Sequence, residues 1–335
     1  MILFRTGPIP RGKFTDTVLA IARGRNVRRQ HGVGDYMSVR RLVIAAVIGV
    51  AISAAILPAV VAENALHIWV RPAPDPGAAA ALAQATASKW EVARVTAVDG
   101  VVLDGWLFTP HLANGSAVIL MHGVADTRLG MLAHARYLLL AGFSVLTPDC
   151  RGHGSSGGAI ITYGVREASD VRCWTGWLLR NQSLHRLYGL GESMGSAILL
   201  ESLPREPRFR AIVAECPFST FEDAACYRLQ QASGMGRWAA WPVARAGFLY
   251  ARVRYGVDLT KASPAAALRA SQVPVLLIHG TSDRNIPWSE SEALHSLNPA
   301  MTRLWLVEGA DHVSALSASP EEYVQNVVDW FRSHP

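Results

Sequence analysis

The stretch LYGLGESMGSAILL, residues 187–200, holds Ser193 between two glycines and lies between two apolar runs. Glycine weakens strands and helices because its backbone loses the most conformational freedom on folding, so Gly191 and Gly195 need a local reason. A sharp turn from a strand into a helix supplies one. It raises the hydroxyl of Ser193 above the sheet edge and leaves no room for a β-carbon two residues before or after it. The stretch predicts a strained, accessible serine with the features of a nucleophile.

Short apolar strands alternate with helices on both sides of this turn. Two alternating strands joined at Asp99 and Gly100 are typical of a hairpin, and apolar strands followed by helices continue to the end of the chain. This order predicts an α/β fold, a mostly parallel sheet with helices on both faces. Functional residues in such sheets lie at the carboxyl ends of the strands.

Two further polar residues follow strands that the sequence predicts late in the chain. Asp283 follows the strand VPVLLIHG, and His312 follows the strand TRLWLVEG. A serine hydroxyl needs an adjacent base that is itself oriented by an acid. We therefore expect His312 to accept the proton of Ser193 and Asp283 to orient the imidazole. Taken singly, the two residues are equally compatible with a solvated loop histidine and a turn-forming carboxylate.

The stretch ILMHGVADTR supplies backbone donors for the negative charge that such a reaction develops on a carbonyl oxygen. The amide of Val124 is expected to pair with the amide of Met194 as an oxyanion hole. Gly123 permits a close approach of the backbone. His122 is expected to be a structural hydrogen-bonding residue and not a second base.

These motifs, together with PDCRGHGSSGG and GADH, resemble the α/β-hydrolase superfamily, in particular its bacterial serine aminopeptidase-like and esterase-like branch. The resemblance covers residues 90–335 and implies an eight-stranded sheet that carries the three-residue site and the two amides predicted above. It also implies that Asp149 and Arg151 brace the loop after the fourth strand. The motifs are specific for the fold and say little about the substrate.

Residues 217–264 interrupt the strand pattern where this superfamily inserts a cap. Aromatic residues and arginines alternate there, and Pro242 is expected to kink or end any helix. Three interpretations remain open: a cap that lines an acyl-binding pocket, a helix that rests on a membrane surface, and ordinary amphipathic packing.

The formal net charge of +6 raises the question of nucleic-acid binding. Residues 1–41 hold nine basic residues against two aspartates, a net charge of +7, so the rest of the chain carries −1 of the total. A nearly neutral remainder offers no basic surface for phosphates, and no nucleic-acid partner is expected. The four cysteines lack metal-like spacing and leave disulfides and free thiols open, and no metal or other cofactor is expected.

Residues 42–62 contain no charged side chain and have the length of a transmembrane helix. Basic residues precede this segment and Glu63 follows it, which predicts a cytoplasmic segment 1–41, contact with membrane lipid, and an extracytoplasmic domain. Translation from Met37 with signal cleavage after Ala62 is an alternative, as is a buried core helix. Residues 63–89 are expected to form a Pro/Ala-rich linker.

The leading hypothesis is a serine hydrolase that cleaves a carboxylic ester, thioester or small amide of a small-molecule acyl substrate through an acyl-enzyme. A serine peptidase of the aminopeptidase type is the nearest alternative, and turnover of peptides against short acyl esters distinguishes the two. A non-catalytic, membrane-anchored interaction protein with the same fold is the third, because a fold does not fix a function.

Overall fold

Eight strands form one sheet in the order β1-β2-β4-β3-β5-β6-β7-β8, in which β2 runs antiparallel to both neighbours and the other pairs are parallel. The computed structural model describes residues 33–67 and 72–335, without the side chains of residues 33–37 and 50–55. The strands are β1 (Ser88–Thr96), β2 (Val102–Pro110), β3 (Ser116–Met121), β4 (Ser144–Pro148), β5 (Arg186–Glu192), β6 (Phe209–Glu215), β7 (Val275–Gly280) and β8 (Thr302–Val307). The predicted eight-stranded, mostly parallel sheet is confirmed.

Helices connect the strands and cover both faces of the sheet. The α-helices of the described residues are α1 (Val33–Leu66), α2 (Pro76–Ala85), α3 (Leu132–Leu140), α4 (Glu167–Asn181), α5 (Met194–Ser202), α6 (Phe221–Ser233), α7 (Arg237–Tyr255), α8 (Pro264–Arg269), α9 (Ser289–Leu297), α10 (Ala315–Ala318) and α11 (Pro320–Arg332).

Two apolar clusters form the core, one on each face of the sheet. Successive residues of β3 belong alternately to the two clusters, because side chains along a strand point to opposite faces. Helices α4, α5 and α8 contribute to the first cluster, and α2, α3 and α11 to the second. All six residues of β3 are buried, which explains the continuous apolar run in the sequence.

The N-terminal part differs from the expectation in two places. Helix α2 occupies part of the predicted linker and buries Ala79, Leu82 and Ala83 against the second cluster. Asp75 caps this helix by accepting a hydrogen bond from the amide of Gly77 at 3.0 Å, which gives an alanine-rich stretch a defined start. Alanine has the highest helix propensity, so the stretch folds as soon as one side of it is covered.

Within the described residues, no helix is both long and apolar enough to cross a membrane. The transmembrane helix predicted over 42–62 is therefore unsupported, and it includes residues 50–55, whose side chains lie outside the described set. Near its end this segment packs on protein, since Pro58 and Ala62 are buried. By contacts the chain divides into units 1–52 and 53–335, and most of the basic segment 1–41 lies outside the described residues.

Helices α6 and α7 lie between β6 and β7, in the region where the resemblance places a cap, and are called the cap here. Pro242 was expected to kink or end a helix, and it does not end α7, which continues through it to Tyr255 because a proline in the second turn removes only one backbone hydrogen bond. All four cysteines are free thiols, so no disulfide joins the cap to the sheet.

Candidate active site

The turn between β5 and α5 holds Ser193 in a strained backbone conformation, with φ +52° and ψ −115°. A β-carbon on Gly191 would lie 2.5 Å from the carbonyl carbon of Gly195, and one on Gly195 would lie 2.1 Å from the carbonyl oxygen of Met121. Both distances are far below van der Waals contact. The two glycines are thus required by the turn itself, as the sequence predicts.

Three loops at the carboxyl ends of their strands bring the predicted residues together. The Oγ of Ser193 lies 2.9 Å from Nε2 of His312, and Nδ1 of His312 lies 2.6 Å from Oδ2 of Asp283. Ser193 and Asp283 are buried, and the ring of His312 is partly buried. This geometry matches a nucleophile, a base and an acid that orients the base.

The carboxylate of Asp283 receives hydrogen bonds from several directions. Its Oδ1 accepts from the amides of Asn285 and Ile286 at 2.7 and 2.9 Å, and its Oδ2 faces His312 and Nε2 of His279, the latter at 3.2 Å. Burial works to raise the pKa of Asp283, but the hydrogen bonds from His279 and His312 outweigh it and hold the pKa well below its usual range. Asp283 is therefore an ionised acceptor for the imidazole of His312.

His279 is a residue that the sequence analysis missed. It is fully buried in β7, where Ser291 and the carbonyl of Ile286 also contact its ring. Its position four residues before Asp283 in HGTSD was the available signal, but a histidine at the end of an apolar strand gives no indication of where its ring points.

Val124 and Met194 both line the cavity in front of Ser193. Neither amide donates to a protein acceptor within the part of the chain that the structure describes. Met194 is the first residue of α5, where amide groups have no partner inside the helix. A β-carbon on Gly123 would lie 3.6 Å from Cβ of Ser193, so glycine keeps this side of the serine open.

Both ring nitrogens of His122, expected to be a structural residue, hydrogen-bond to backbone groups. Its Nδ1 donates to the carbonyl of Gly123 at 2.7 Å and its Nε2 accepts from the amide of Cys150 at 3.0 Å, which fixes a neutral ring. Burial, helped by the neighbouring His153, lowers the pKa of His122 to about 4. The ring therefore holds the loop that carries Gly123 against the end of β4.

The sequence was compared with known families and the structure with solved structures. The family model described as "Serine aminopeptidase, S33" matches residues 113–246. The uncharacterized protein YqkD of Bacillus subtilis is 30% identical over 235 residues, which are 69% of this chain and 75% of that protein. The chain belongs to the α/β-hydrolase superfamily.

A monoacylglycerol lipase of Mycolicibacterium smegmatis is 28% identical over 269 residues, covering 70% of this chain and 93% of that enzyme. The Pyrococcus furiosus esterase Pf2001 superposes with a TM-score of 0.62 at 23% identity, over 75% of this chain and 95% of that structure. The second similarity shows the fold. With the family match, these relatives support a hydrolase and confirm the superfamily recognised from the motifs.

The loop after β4 of this α/β-hydrolase is held by buried ion pairs. Asp149 accepts from Arg128 at 2.6 Å, and Arg151 donates to both oxygens of Asp170 at 2.6 and 2.7 Å. Arg151 also reaches Asp99 in the hairpin turn at 2.7 Å. Asp149 and Arg151 therefore brace this loop, and Arg128, missed by the sequence analysis, supplies the partner for Asp149.

A second polar cluster lies behind the strand-to-helix turn of the hydrolase. Nε2 of His134 donates to Glu192 at 2.7 Å, and the hydroxyl of Tyr323 donates to Glu215 at 2.7 Å. Burial, reinforced by Glu192, raises the pKa of Glu215. The backbone carbonyl of Glu215 accepts from the amide of Ser193 at 2.8 Å, so this cluster is joined by a hydrogen bond to the turn between β5 and α5.

Two groups in the described residues bring three possible metal ligands within 4.8 Å of one another. One contains Cys216 with Asp283 and His312, and the other contains His134, Glu192 and Glu215. In each group, members already hydrogen-bond to one another at 2.6 to 2.7 Å, the separation of a direct donor and acceptor. These hydrogen bonds explain why the side chains of each group lie close together.

A cavity of about 770 Å³ opens in front of Ser193 and His312. This volume lies in the range of small-molecule sites. Most of the lining is apolar and comes from the cap, from loops of the sheet and from the end of α1: Val61, Ala62, Ala65, Val124, Tyr163, Met194, Phe218, Phe221, Ala224, Ala225, Leu229, Ala244, Phe248, Leu259 and Ile286.

Proposed function

We propose that this α/β-hydrolase is a serine hydrolase that cleaves esters of apolar carboxylic acids through an acyl-enzyme intermediate. The observation that carries the proposal is the hydrogen-bonded chain from Ser193 through His312 to Asp283 at the base of the apolar cavity. The contact between Ser193 and His312 has a length that allows proton transfer, and the contact between His312 and Asp283 is a hydrogen bond that orients the imidazole.

In the first half-reaction, Nε2 of His312 takes the proton of Ser193 while Oγ bonds to the ester carbonyl carbon. Asp283 stabilises the imidazolium that forms. The carbonyl oxygen becomes negatively charged, and the amides of Val124 and Met194 are available as donors for it. Collapse of this intermediate breaks the bond to the alcohol oxygen, and His312 returns the proton to the departing alcohol.

In the second half-reaction, water takes the place of the alcohol. His312 removes a proton from the water as its oxygen bonds to the acyl carbon, and Ser193 recovers a proton when the acid leaves. The neutral ring of His122 takes no part in these transfers, because both of its nitrogens are occupied by backbone partners. No cofactor is needed for this reaction.

The apolar lining supports an ester with an apolar acyl group as the substrate. The guanidinium of Arg228, at the cavity, donates to Asn285 at 2.7 Å, and Glu192 is bonded to His134. These polar groups thus already have protein partners. The monoacylglycerol lipase among the relatives is consistent with an acyl ester of a small alcohol.

A serine aminopeptidase is the second candidate, because the matching family carries that description. The same nucleophile would attack an amide carbonyl, so the substrate series distinguishes the two candidates.

The test is labelling of the full chain with a fluorophosphonate probe, together with turnover of p-nitrophenyl esters and aminoacyl p-nitroanilides. We expect Ser193→Ala to abolish labelling and to lower kcat/KM for esters by roughly 10⁴-fold or more. Ser202→Ala is the matched control, because Ser202 is a buried serine of the same helix whose hydroxyl donates to the carbonyl of Leu199 and which does not line the cavity, and it is expected to keep both signals. Labelling that persists in Ser193→Ala would refute the assignment, and anilides turned over faster than esters would favour the peptidase.

An extracytoplasmic location stays a prediction of the N-terminal sequence. Tags at either end of the chain, followed by fractionation, test it. A C-terminal tag recovered without the N-terminal tag in the soluble fraction indicates cleavage after Ala62, and both tags in the cytoplasm contradict the prediction.

A further inference from the structure

The last turns of α1 are bonded to the hydrolase domain by their backbone. The final carbonyl groups of a helix lack partners within it and need donors from outside. The hydroxyl of Tyr163 donates to the carbonyl of Ala65 at 2.7 Å, and the amide of Ile161 donates to the carbonyl of Leu66 at 3.0 Å. The side chain of Leu66 is fully buried in the first apolar cluster. This helix end is thus part of the domain.

Glu63 attaches the same helix end to the cap. Its carboxylate accepts from the hydroxyl of Tyr250 at 2.6 Å and from the hydroxyl of Tyr255 at 2.7 Å, both on α7. These two hydrogen bonds lower the pKa of Glu63, so the carboxylate is ionised at neutral pH. Hydrogen bonds to an ionised acceptor are among the stronger ones in proteins.

Helix α7 approaches the end of α1 at its glycine. A β-carbon on Gly247 would lie 3.2 Å from the carbonyl oxygen of Pro58 and 3.6 Å from Cβ of Ala62. No side chain therefore separates the two helices at this crossing. Gly247 and Ala62 both line the cavity that contains Ser193, so this crossing forms part of the cavity wall.

The face of α1 turned to the cavity carries small side chains. Val61, Ala62 and Ala65 line the cavity that contains Ser193, together with one polar residue of the same helix, Asn64. Larger aromatic rings from other elements line the same cavity, and Tyr163 and Phe221 are stacked with ring centroids 3.8 Å apart. The small side chains of α1 leave open the space beside these rings.

We propose that residues 61–65 of α1 form one wall of the acyl-binding site and that Ala62 sets the length of acyl chain that the enzyme accepts. The occupant is an apolar acyl chain, which the small apolar side chains of Val61, Ala62 and Ala65 and the aromatic rings of the cavity complement. This inference rests on the proposed ester hydrolysis. It assigns part of the active site to a segment that precedes the hydrolase domain expected from the sequence.

Ala62→Phe tests this assignment, because the larger side chain would fill the cavity on the α1 side. We expect kcat/KM for p-nitrophenyl dodecanoate to fall by about tenfold or more, while the value for p-nitrophenyl butanoate changes by about twofold or less. Val60→Phe is the matched control: it lies on the same helix, is 49% exposed and is expected to alter neither value. Equal changes for the two esters in Ala62→Phe would overturn the proposal.

A binding measurement separates this inference from the proposed reaction. In the Ser193→Ala chain, dodecanoate is expected to raise the Tm, and adding Ala62→Phe is expected to abolish that shift while Val60→Phe keeps it. A shift that survives Ala62→Phe overturns the wall assignment even if esters are cleaved. A shift that Ala62→Phe removes supports the wall even if Ser193 proves not to be the nucleophile. If Ala62→Phe does not fold, Ala62→Val carries both tests with smaller expected changes.

Discussion

The strand-to-helix turn at Ser193 and the cavity wall at α1 are built in different ways. At the turn, β-carbons on Gly191 and Gly195 would overlap backbone atoms of the turn and of β3, so only glycine is possible. At the wall, a β-carbon on Gly247 would lie 3.2 Å from the carbonyl oxygen of Pro58, a much longer distance than those at the turn. Hydrogen bonds from two tyrosines of α7 to Glu63 hold the two helices together. The position of Ser193 is thus fixed by backbone sterics, whereas the two helices at the wall are held by side-chain hydrogen bonds and packing.

Asp283→Asn should give a large loss at the reaction centre. An amide in place of the carboxylate cannot stabilise the imidazolium and favours the wrong tautomer of His312, so kcat is expected to fall by about 10⁴-fold. Steady-state kinetics on a short ester measure it. Asp311→Asn is the control, since Asp311 is next to His312 but accepts from backbone amides only. A loss below about tenfold in Asp283→Asn would argue against the proposed acid.

Gly195→Ala and Gly247→Ala compare the two regions directly. The new β-carbon at 195 would lie 2.1 Å from a backbone oxygen, so we expect at least roughly a 100-fold loss of kcat/KM and a lower Tm. At 247 the contact at 3.2 Å is offset by the higher helix propensity of alanine, and the Tm should change by only a few degrees. Thermal unfolding and ester kinetics give both values. A similar loss in the two variants would show that Gly195 is no more tightly restricted than Gly247.

His279→Leu tests a residue that contacts Asp283 and is absent from the cavity lining. The variant loses the contacts of the ring with Asp283, Ser291 and the carbonyl of Ile286. Loss of the contact with Asp283 is expected to lower kcat by about tenfold and to leave KM unchanged, because the substrate does not touch the ring. His279→Gln keeps a donor and should restore part of the rate. If KM rises with kcat unchanged, His279 acts on the shape of the pocket and not on Asp283.

Glu201→Gln is expected to have the smallest effect, on stability alone. Glu201 is buried in α5, one of its oxygens has no hydrogen-bond partner among the described residues, and burial raises its pKa from 4.5 to about 9. Between these two values the folded chain holds a proton that the unfolded chain has lost, so this group makes stability fall as the pH rises from about 5 to 9. The variant should raise the Tm by a few degrees at about pH 8 and hardly at all at about pH 5. An equal change at both pH values would show that the carboxyl does not titrate in this way.

The order of strands and helices was predictable because each element carries its own signal. The burial of β3 on both faces appears as an uninterrupted apolar run, and the hairpin turn at Asp99 and Gly100 appears as a turn dipeptide between alternating strands. Helix α2 was not predicted, because prolines before an alanine run are typical of a spacer as well as of a helix start. Coverage by the second apolar cluster decided between the two.

The candidate site also has a part that could be predicted from the sequence and a part that could not. Ser193 with its glycines, Asp283 and His312 were found from the sequence, since loops after parallel strands meet at one edge of a sheet and a sharp turn restricts residue types locally. The contact of His279 with Asp283 and the contact of Glu63 with α7 depend on side-chain directions and on helix packing between segments far apart in the chain. Backbone sterics restrict the residue types at a tight turn, so such a turn can be recognised in the local sequence. Contacts between distant segments form only when the whole domain has folded.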